Sequence, residues 1–259
     1  MLEPDAFSIQ LKSLLTRHAD ERTFSLKLDG KKHWVKQAAP GEANVWHKVL
    51  RVLSMIFRNP LFTPTVVTNP RASLAHEADK LTRLHALGVA VPKVILRQPD
   101  YLLLEDAGAP LGELLNDPRI EQEEKKTIIR QAARTLANLH NAGEHHSRPV
   151  LRDMAYKNGQ VYFMDFEENL TGVLNERQAI VRDGLIFVSA LYRKLPDAEL
   201  VEQGLQSYRQ TLRAKLWQTL TRKGRRFRIT FYLLYALRPI LGKDGWALYR
   251  ALRYFRAEK

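Results

Sequence analysis

Asn158-Gly159 stands between two stretches that read as strands, MAYK (154–157) and QVYFM (160–164), and no other residue pair constrains the chain more tightly. Asn-Gly supplies the positive φ angles of a two-residue type I′ turn, so the flanking stretches are expected to pair antiparallel. The register follows: Lys157 faces Gln160, Tyr156 faces Val161, Ala155 faces Tyr162, Met154 faces Phe163, and Asp153 comes level with Met164. Two carboxylates, Asp153 and Asp165, are then set side by side at the open end of the hairpin, as two ligands of one divalent ion on neighbouring strands would need.

A second hairpin is expected where FSLKL (24–28) and KKHWVKQ (31–37) flank Asp29-Gly30. LAHEADKLTRLHAL (74–87) has helical spacing and stops at Gly88. Leu74, Ala78, Leu81 and Leu84 form its buried stripe, and Glu77 falls on the same face, where a carboxylate needs a partner. Lys36 would satisfy it. VPKVILR (91–97) and YLLLE (101–105) read as strands, followed by PLGELL and a long amphipathic helix from about Glu121 to Asn141. Strands first and helices after give an α+β arrangement. The expected division is a sheet lobe over 1–105, with a basic amphipathic helix (VWHKVLRVLSMIF) inserted at about 43–58, and a helical lobe over 106–259 with a basic tail at 209–259.

Composition narrows the function classes. The apolar run ITFYLLYAL (229–237) ends at Arg238 and is less than half the length a bilayer span needs. The start, MLEPDAF, carries early acids and no apolar signal core, so a cytoplasmic protein is expected. The absence of cysteine excludes a disulfide framework, a zinc-thiolate site and a thiol nucleophile. The net charge of +13 is concentrated: residues 209–259 hold 14 Lys or Arg against Asp244 and Glu258. Mixed with Phe, Tyr, Leu and Trp, such a tail suits an anionic membrane surface, lipopolysaccharide or, second to these, RNA. A solvated basic rim on a helical subdomain explains the same charge.

In order, these features resemble the protein-kinase-like fold over nearly the whole chain: a strand Lys (Lys36), a helix Glu (Glu77), a strand running into an acidic hinge (LLLED, 102–106), LANLHNAGEHH ahead of a loop, and MDFE after a strand. The resemblance implies a bilobal fold with ATP and Mg²⁺ as cofactors. Lys36 would hold the α- and β-phosphates, Glu77 would hold Lys36, Glu105, Asp106 and Ala107 would line the nucleotide, and Asp165 would ligate Mg²⁺. The chain departs from that pattern in two places before the loop. Residues 11–23, LKSLLTRHADERT, contain no glycine to cradle phosphate, and Trp34 stands where a small residue usually roofs the adenine.

The catalytic loop admits two readings. In one, Arg152-Asp153 is the R-D pair, Asp153 is the base and Asn158 the metal-binding amide. Only six residues would then separate Asn158 from Asp165, too few for the hairpin the fold requires. In the other, HSRPVLRD (146–153) fits the kinase pattern H-x-D-x-x-x-x-N, so Asp153 takes the place of the metal-binding Asn and Arg148 that of the catalytic Asp. This reading satisfies turn chemistry and loop length together and is preferred. The candidate catalytic residues are thus Asp153, Arg148 and Lys36, and the candidate metal ligands Asp153 and Asp165. Arginine cannot take a proton at neutral pH, so Arg148 would neutralise phosphoryl charge or bind an anionic acceptor. Glu167 and Glu168 replace the Gly of D-F-G, and Asp183, at the start of GLIFVSALY, is expected to hydrogen-bond the loop backbone.

Size and layout are similar to bacterial lipopolysaccharide-core sugar kinases and to the small kinase of the tRNA threonylcarbamoyladenosine machinery. The resemblance implies an ATP- and Mg²⁺-dependent phosphotransferase. Its acceptor would be a small molecule or an envelope glycolipid sugar, because the Lys that follows the catalytic Asp of protein Ser/Thr kinases is absent in either register (Val150 or Ala155). A peripheral position at the inner face of a membrane is compatible with it. Two alternatives stand beside it: a nucleotide-binding pseudokinase without turnover, and an atypical serine/threonine kinase acting with an RNA-modification or protein partner.

Overall fold

The computed structural model describes residues 4–38, 69–170 and 172–258. The basic helix expected at about 43–58 lies outside them. The described chain forms two compact units, one of residues up to 38 with 69–106 and one of residues from 107 onwards.

The first unit is a four-stranded antiparallel sheet with helices α1 (Pro4–Arg17) and α2 (Pro70–Ala86). Strands β1 (Thr23–Leu28), β2 (Lys31–Gln37), β3 (Val94–Arg97) and β4 (Tyr101–Glu105) stand in the order β1-β2-β4-β3. Asp29 and Gly30 both have positive φ, as the tight turn between β1 and β2 demands. On one face Phe24, Leu26, Val35 and Leu103 bury against Leu11 of α1. Side chains alternate along a strand, so Lys36, beside Val35 and paired with Leu102, lies on the opposite face.

Helix α2 starts four residues earlier than its apolar stripe indicates. The Asn69 side chain accepts from Ala72 N–H, and Pro70, with no N–H to lose, fits the first turn. β3 starts later than expected, at Val94, because Pro92 cannot donate to a ladder.

The second unit is mostly helical and carries its own three-stranded sheet, β5 (Ala109–Pro110), β6 (Met154–Lys157) and β7 (Gln160–Phe163), in that order. The β6–β7 register is the one the Asn158-Gly159 turn dictates: Met154 pairs with Phe163, Ala155 with Tyr162, Tyr156 with Val161 and Lys157 with Gln160. Asn158 (φ +50°) and Gly159 (φ +78°) make the turn. Asn158 is therefore a turn residue, which removes the reading in which it is the metal-binding amide. Short α3 (Leu111–Leu114) and long α4 (Gln122–Asn141) precede the hairpin. After it come α5 (Glu176–Lys194), α6 (Ala198–Thr211), α7 (Ala214–Arg226), α8 (Arg228–Ala236) and α9 (Lys243–Ala257). α5 is buried on all sides from Ala179 to Leu191 and forms the core that α6, α7 and α9 pack around.

The α+β arrangement, with a small antiparallel sheet first and a larger helical part after it, is as expected from the sequence. Among the described residues, no helix is long and apolar enough to cross a membrane.

Candidate functional site

In the sheet unit, Lys36 on β2 reaches Glu77 on α2, with Nζ 3.0 Å from Oε1 and 2.7 Å from Oε2. Both residues are buried, Glu77 to 1% exposure. The helical period places Glu77 inward and the strand alternation turns Lys36 towards it. Such a pair is weak evidence for stability, since desolvating two charges offsets most of their attraction. What it achieves is orientation: an ammonium held in place on a rigid strand.

At the end of β4, Glu105 is exposed, Asp106 accepts a hydrogen bond from the Trp34 indole at 2.9 Å, and Ala107 opens the second unit as a buried residue. The Trp34 indole is thus tethered to the carboxylate that follows β4. Lys32 stacks its ammonium 4.3 Å from the same ring. The segment before β1 is helical, in keeping with its lack of glycine.

In the helical unit, the hairpin and the loop before it gather an ionic cluster. Arg148 Nη2 lies 2.6 Å from Asp165 Oδ2 and 3.2 Å from Asp153 Oδ2. Its Nε lies 3.6 Å from Glu168 Oε1. One guanidinium nitrogen therefore touches both expected metal ligands, which is the juxtaposition the turn register implies. Burial disfavours the cation, but the fields of Asp153, Asp165, Glu168 and Glu167 outweigh it, so the Arg148 pKa is raised above its already high ordinary value. Arg148 is a permanent cation and no base.

The loop that carries Arg148 is clamped from α5. Asp183, fully buried, accepts the backbone N–H of His146 at 2.6 Å and of Ser147 at 3.0 Å, and lies 3.3 Å from His140 Nε2. Ser147 has φ +88°, a left-handed conformation costly for a side-chain-bearing residue, and it turns two consecutive N–H groups towards one carboxylate. Arg182 completes the clamp by donating to the Ser147 carbonyl and pairing with Glu168 at 2.9 Å. Burial alone would raise the Asp183 pKa. The hydrogen bond and charge of His140, with His145 and His146 nearby, lower it instead. Asp183 sits two turns inside α5, which begins at Glu176 under an Asn175 capping box. The expectation that it opens the helix is corrected, and its role is hydrogen bonding rather than a response to the helix dipole.

His146 is buried and stacks on Phe166 at 4.5 Å between ring centroids, anchoring the loop against the residue after Asp165. Asp165 itself has φ +64°. His140 is committed to Tyr208 at 2.8 Å and to Asp183.

Sequence reasoning misses Arg182. The available signal is two adjacent charges, Arg182-Asp183, inside the apolar run QAIVRDGLIFV, where both would be buried and each would need a partner.

The donor set of Asp153 and Asp165 suits a hard divalent cation, since both offer carboxylate oxygen at one point. The guanidinium of Arg148 stands at that same point.

No protein-family model matches the chain. An uncharacterized protein of Haemophilus influenzae is 29% identical over 260 residues, covering the whole of both chains. Among solved structures, WaaP in complex with acyl carrier protein aligns with a TM-score of 0.43 and 15% identity, over 78% of this chain and 82% of that one.

Proposed function

We propose that the chain is an ATP- and Mg²⁺-dependent phosphotransferase of atypical kinase-like type. The observation that carries this reading is the convergence of Asp153 and Asp165 on a single cationic nitrogen at the mouth of the β6–β7 hairpin. The buried Lys36–Glu77 pair supports it. In this reading Lys36 holds nucleotide phosphate oxygens, Glu77 keeps the ammonium aimed, and Asp153 and Asp165 hold the metal. A divalent cation there neutralises charge on the transferring phosphates. With Arg148 in place of a carboxylate base, the acceptor hydroxyl is activated by positioning and charge alone, and removal of a base costs on the order of 10²–10⁴-fold in rate.

The acceptor in this proposal is a small molecule or the sugar of an envelope glycolipid met at an anionic membrane surface. Helix α8 supports the membrane part: Phe227, Thr230 and Leu234 bury, while Ile229 (72% exposed), Tyr232, Leu233 and, beyond the helix, Ile240 (78%) face outward. Arg225, Arg226 and Arg228 are exposed beside them. Aliphatic tips within a basic rim fit the acyl–headgroup boundary, whereas RNA offers nothing to isoleucine.

One observation favours a second reading, a nucleotide-binding protein without turnover: Arg148, which this reading sets in the place of the base, contacts both Asp153 and Asp165 through its guanidinium. Thermal stabilisation by a non-hydrolysable ATP analogue with Mg²⁺, together with ATP consumption, decides. Stabilisation with consumption that is lost in Lys36→Ala and Asp165→Ala but kept in Asn158→Ala supports the phosphotransferase. Stabilisation with no consumption by any form supports the second reading, and no stabilisation overturns both.

A further inference from the structure

A divalent cation and the guanidinium of Arg148 have one place between them. Arg148 Nη2 contacts Asp165 at 2.6 Å and Asp153 at 3.2 Å, and two further carboxylates, Glu168 and Glu167, lie in its field. Arg152 Nε also lies 3.3 Å from Asp153 and Arg182 pairs with Glu168, so what singles out Arg148 is its place between Asp153 and Asp165. A metal held by both carboxylates would take the place of Arg148 Nη2, and an incoming anion would hold the displaced guanidinium. Its planar fork suits phosphate oxygens in the bidentate manner that carboxylates also accept. The loop that bears it is fixed by the Asp183 and Arg182 clamps on the backbone of residues 146 and 147, so exchange is confined to the Arg148 side chain.

We infer that Arg148 is an internal stand-in for the metal: without nucleotide it neutralises Asp153 and Asp165 and keeps divalent cations out. When a nucleotide phosphate takes the guanidinium, the two carboxylates are released to the metal. Nucleotide and metal then enter together, and free metal alone does not bind. This rests on the nucleotide reading above and adds to it an order of binding.

The test is Mn²⁺ binding, read by the electron paramagnetic resonance of the free ion and needing no turnover. Wild-type protein is expected to retain Mn²⁺ only in the presence of a non-hydrolysable ATP analogue. Arg148→Ala and Arg148→Gln are expected to bind Mn²⁺ without nucleotide at least about tenfold more tightly than wild type, the direction set by removing a positive charge at contact distance from the ion. Arg148→Gln keeps N–H donors towards Asp165 and serves if the alanine variant folds poorly. Adding Asp165→Asn to Arg148→Gln is expected to abolish the gain.

Equal Mn²⁺ affinity in wild type and both variants, tight Mn²⁺ binding by wild type alone, or a gain that survives Asp165→Asn would overturn the inference. Failure of the nucleotide reading looks different. The analogue would then stabilise no form, while Mn²⁺ still bound more tightly to the Arg148 variants.

Discussion

Replacing Lys36 and Glu77 together, as Lys36→Met with Glu77→Leu, separates what their pair does for the fold from what it does for function. Each partner is buried, with exposures of 9% and 1%, and they meet at 2.7 Å. Lys36→Met alone takes the ammonium away from the buried Glu77 carboxylate, and Glu77→Leu alone takes the carboxylate away from the buried Lys36 ammonium. Breaking a buried pair from one side costs about 3–5 kcal/mol. Replacing both partners by apolar residues of similar volume removes the two desolvation penalties with the attraction, so the double variant is expected within about 1 kcal/mol of wild type, or above it.

Urea denaturation of the four proteins measures this directly, with the coupling energy taken from the cycle. In the same samples the ATP analogue with Mg²⁺ should stabilise wild type and leave the double variant unmoved. A double variant as unstable as the sum of the two single changes would refute the reasoning, because the pair would then be a net support of the fold. A double variant that still responds fully to nucleotide would deny Lys36 its part in binding.

Asp183→Ala leaves the N–H groups of His146 and Ser147 buried without their acceptor, and at about 1–3 kcal/mol for each, denaturation should show a loss of about 2–6 kcal/mol. The lowered Asp183 pKa makes its contribution fully present above the unfolded carboxylate value near pH 4 and lost as pH falls through the folded value. Asp183→Asn should accordingly flatten the acid limb of the stability curve, and an unchanged limb would deny the clamp. Gly108→Ala places a Cβ 2.2 Å from the Tyr156 carbonyl oxygen at φ +98°, so a loss of at least about 2 kcal/mol is expected by denaturation. On phosphatidylglycerol vesicles, Arg225, Arg226 and Arg228 to Gln should weaken sedimentation by about 3 kcal/mol in low salt and Ile229→Glu should weaken it at any salt, whereas equal binding to neutral vesicles would refute the basic contribution.

What the sequence discloses here follows from the range of the interactions. The β6–β7 register is legible because a two-residue turn is local chemistry, and Asn158 and Gly159 carry the required positive φ. Glu77 is legible because helical period alone puts it on a buried stripe, and a buried carboxylate asks for a cation. The clamp of Arg182 on Ser147 and Glu168 joins residues 35 and 14 positions apart, and no periodicity announces it. The strand Ala109–Pro110 is too short to leave a pattern and exists because β6 offers it an edge. Arg148 could be placed in the loop by spacing, but its grip on two carboxylates emerges only when Ser147 turns left-handed and the hairpin closes.

Titration calorimetry with Mg²⁺ and a non-hydrolysable ATP analogue, on wild type, Asp153→Asn and Asn158→Ala, tests the central claim most directly. Saturable binding by wild type and Asn158→Ala, with Asp153→Asn weakened at least about tenfold, is the expected result for a carboxylate that ligates the metal. Binding that is lost in Asn158→Ala and kept in Asp153→Asn, or wild-type protein that binds no nucleotide, would contradict it.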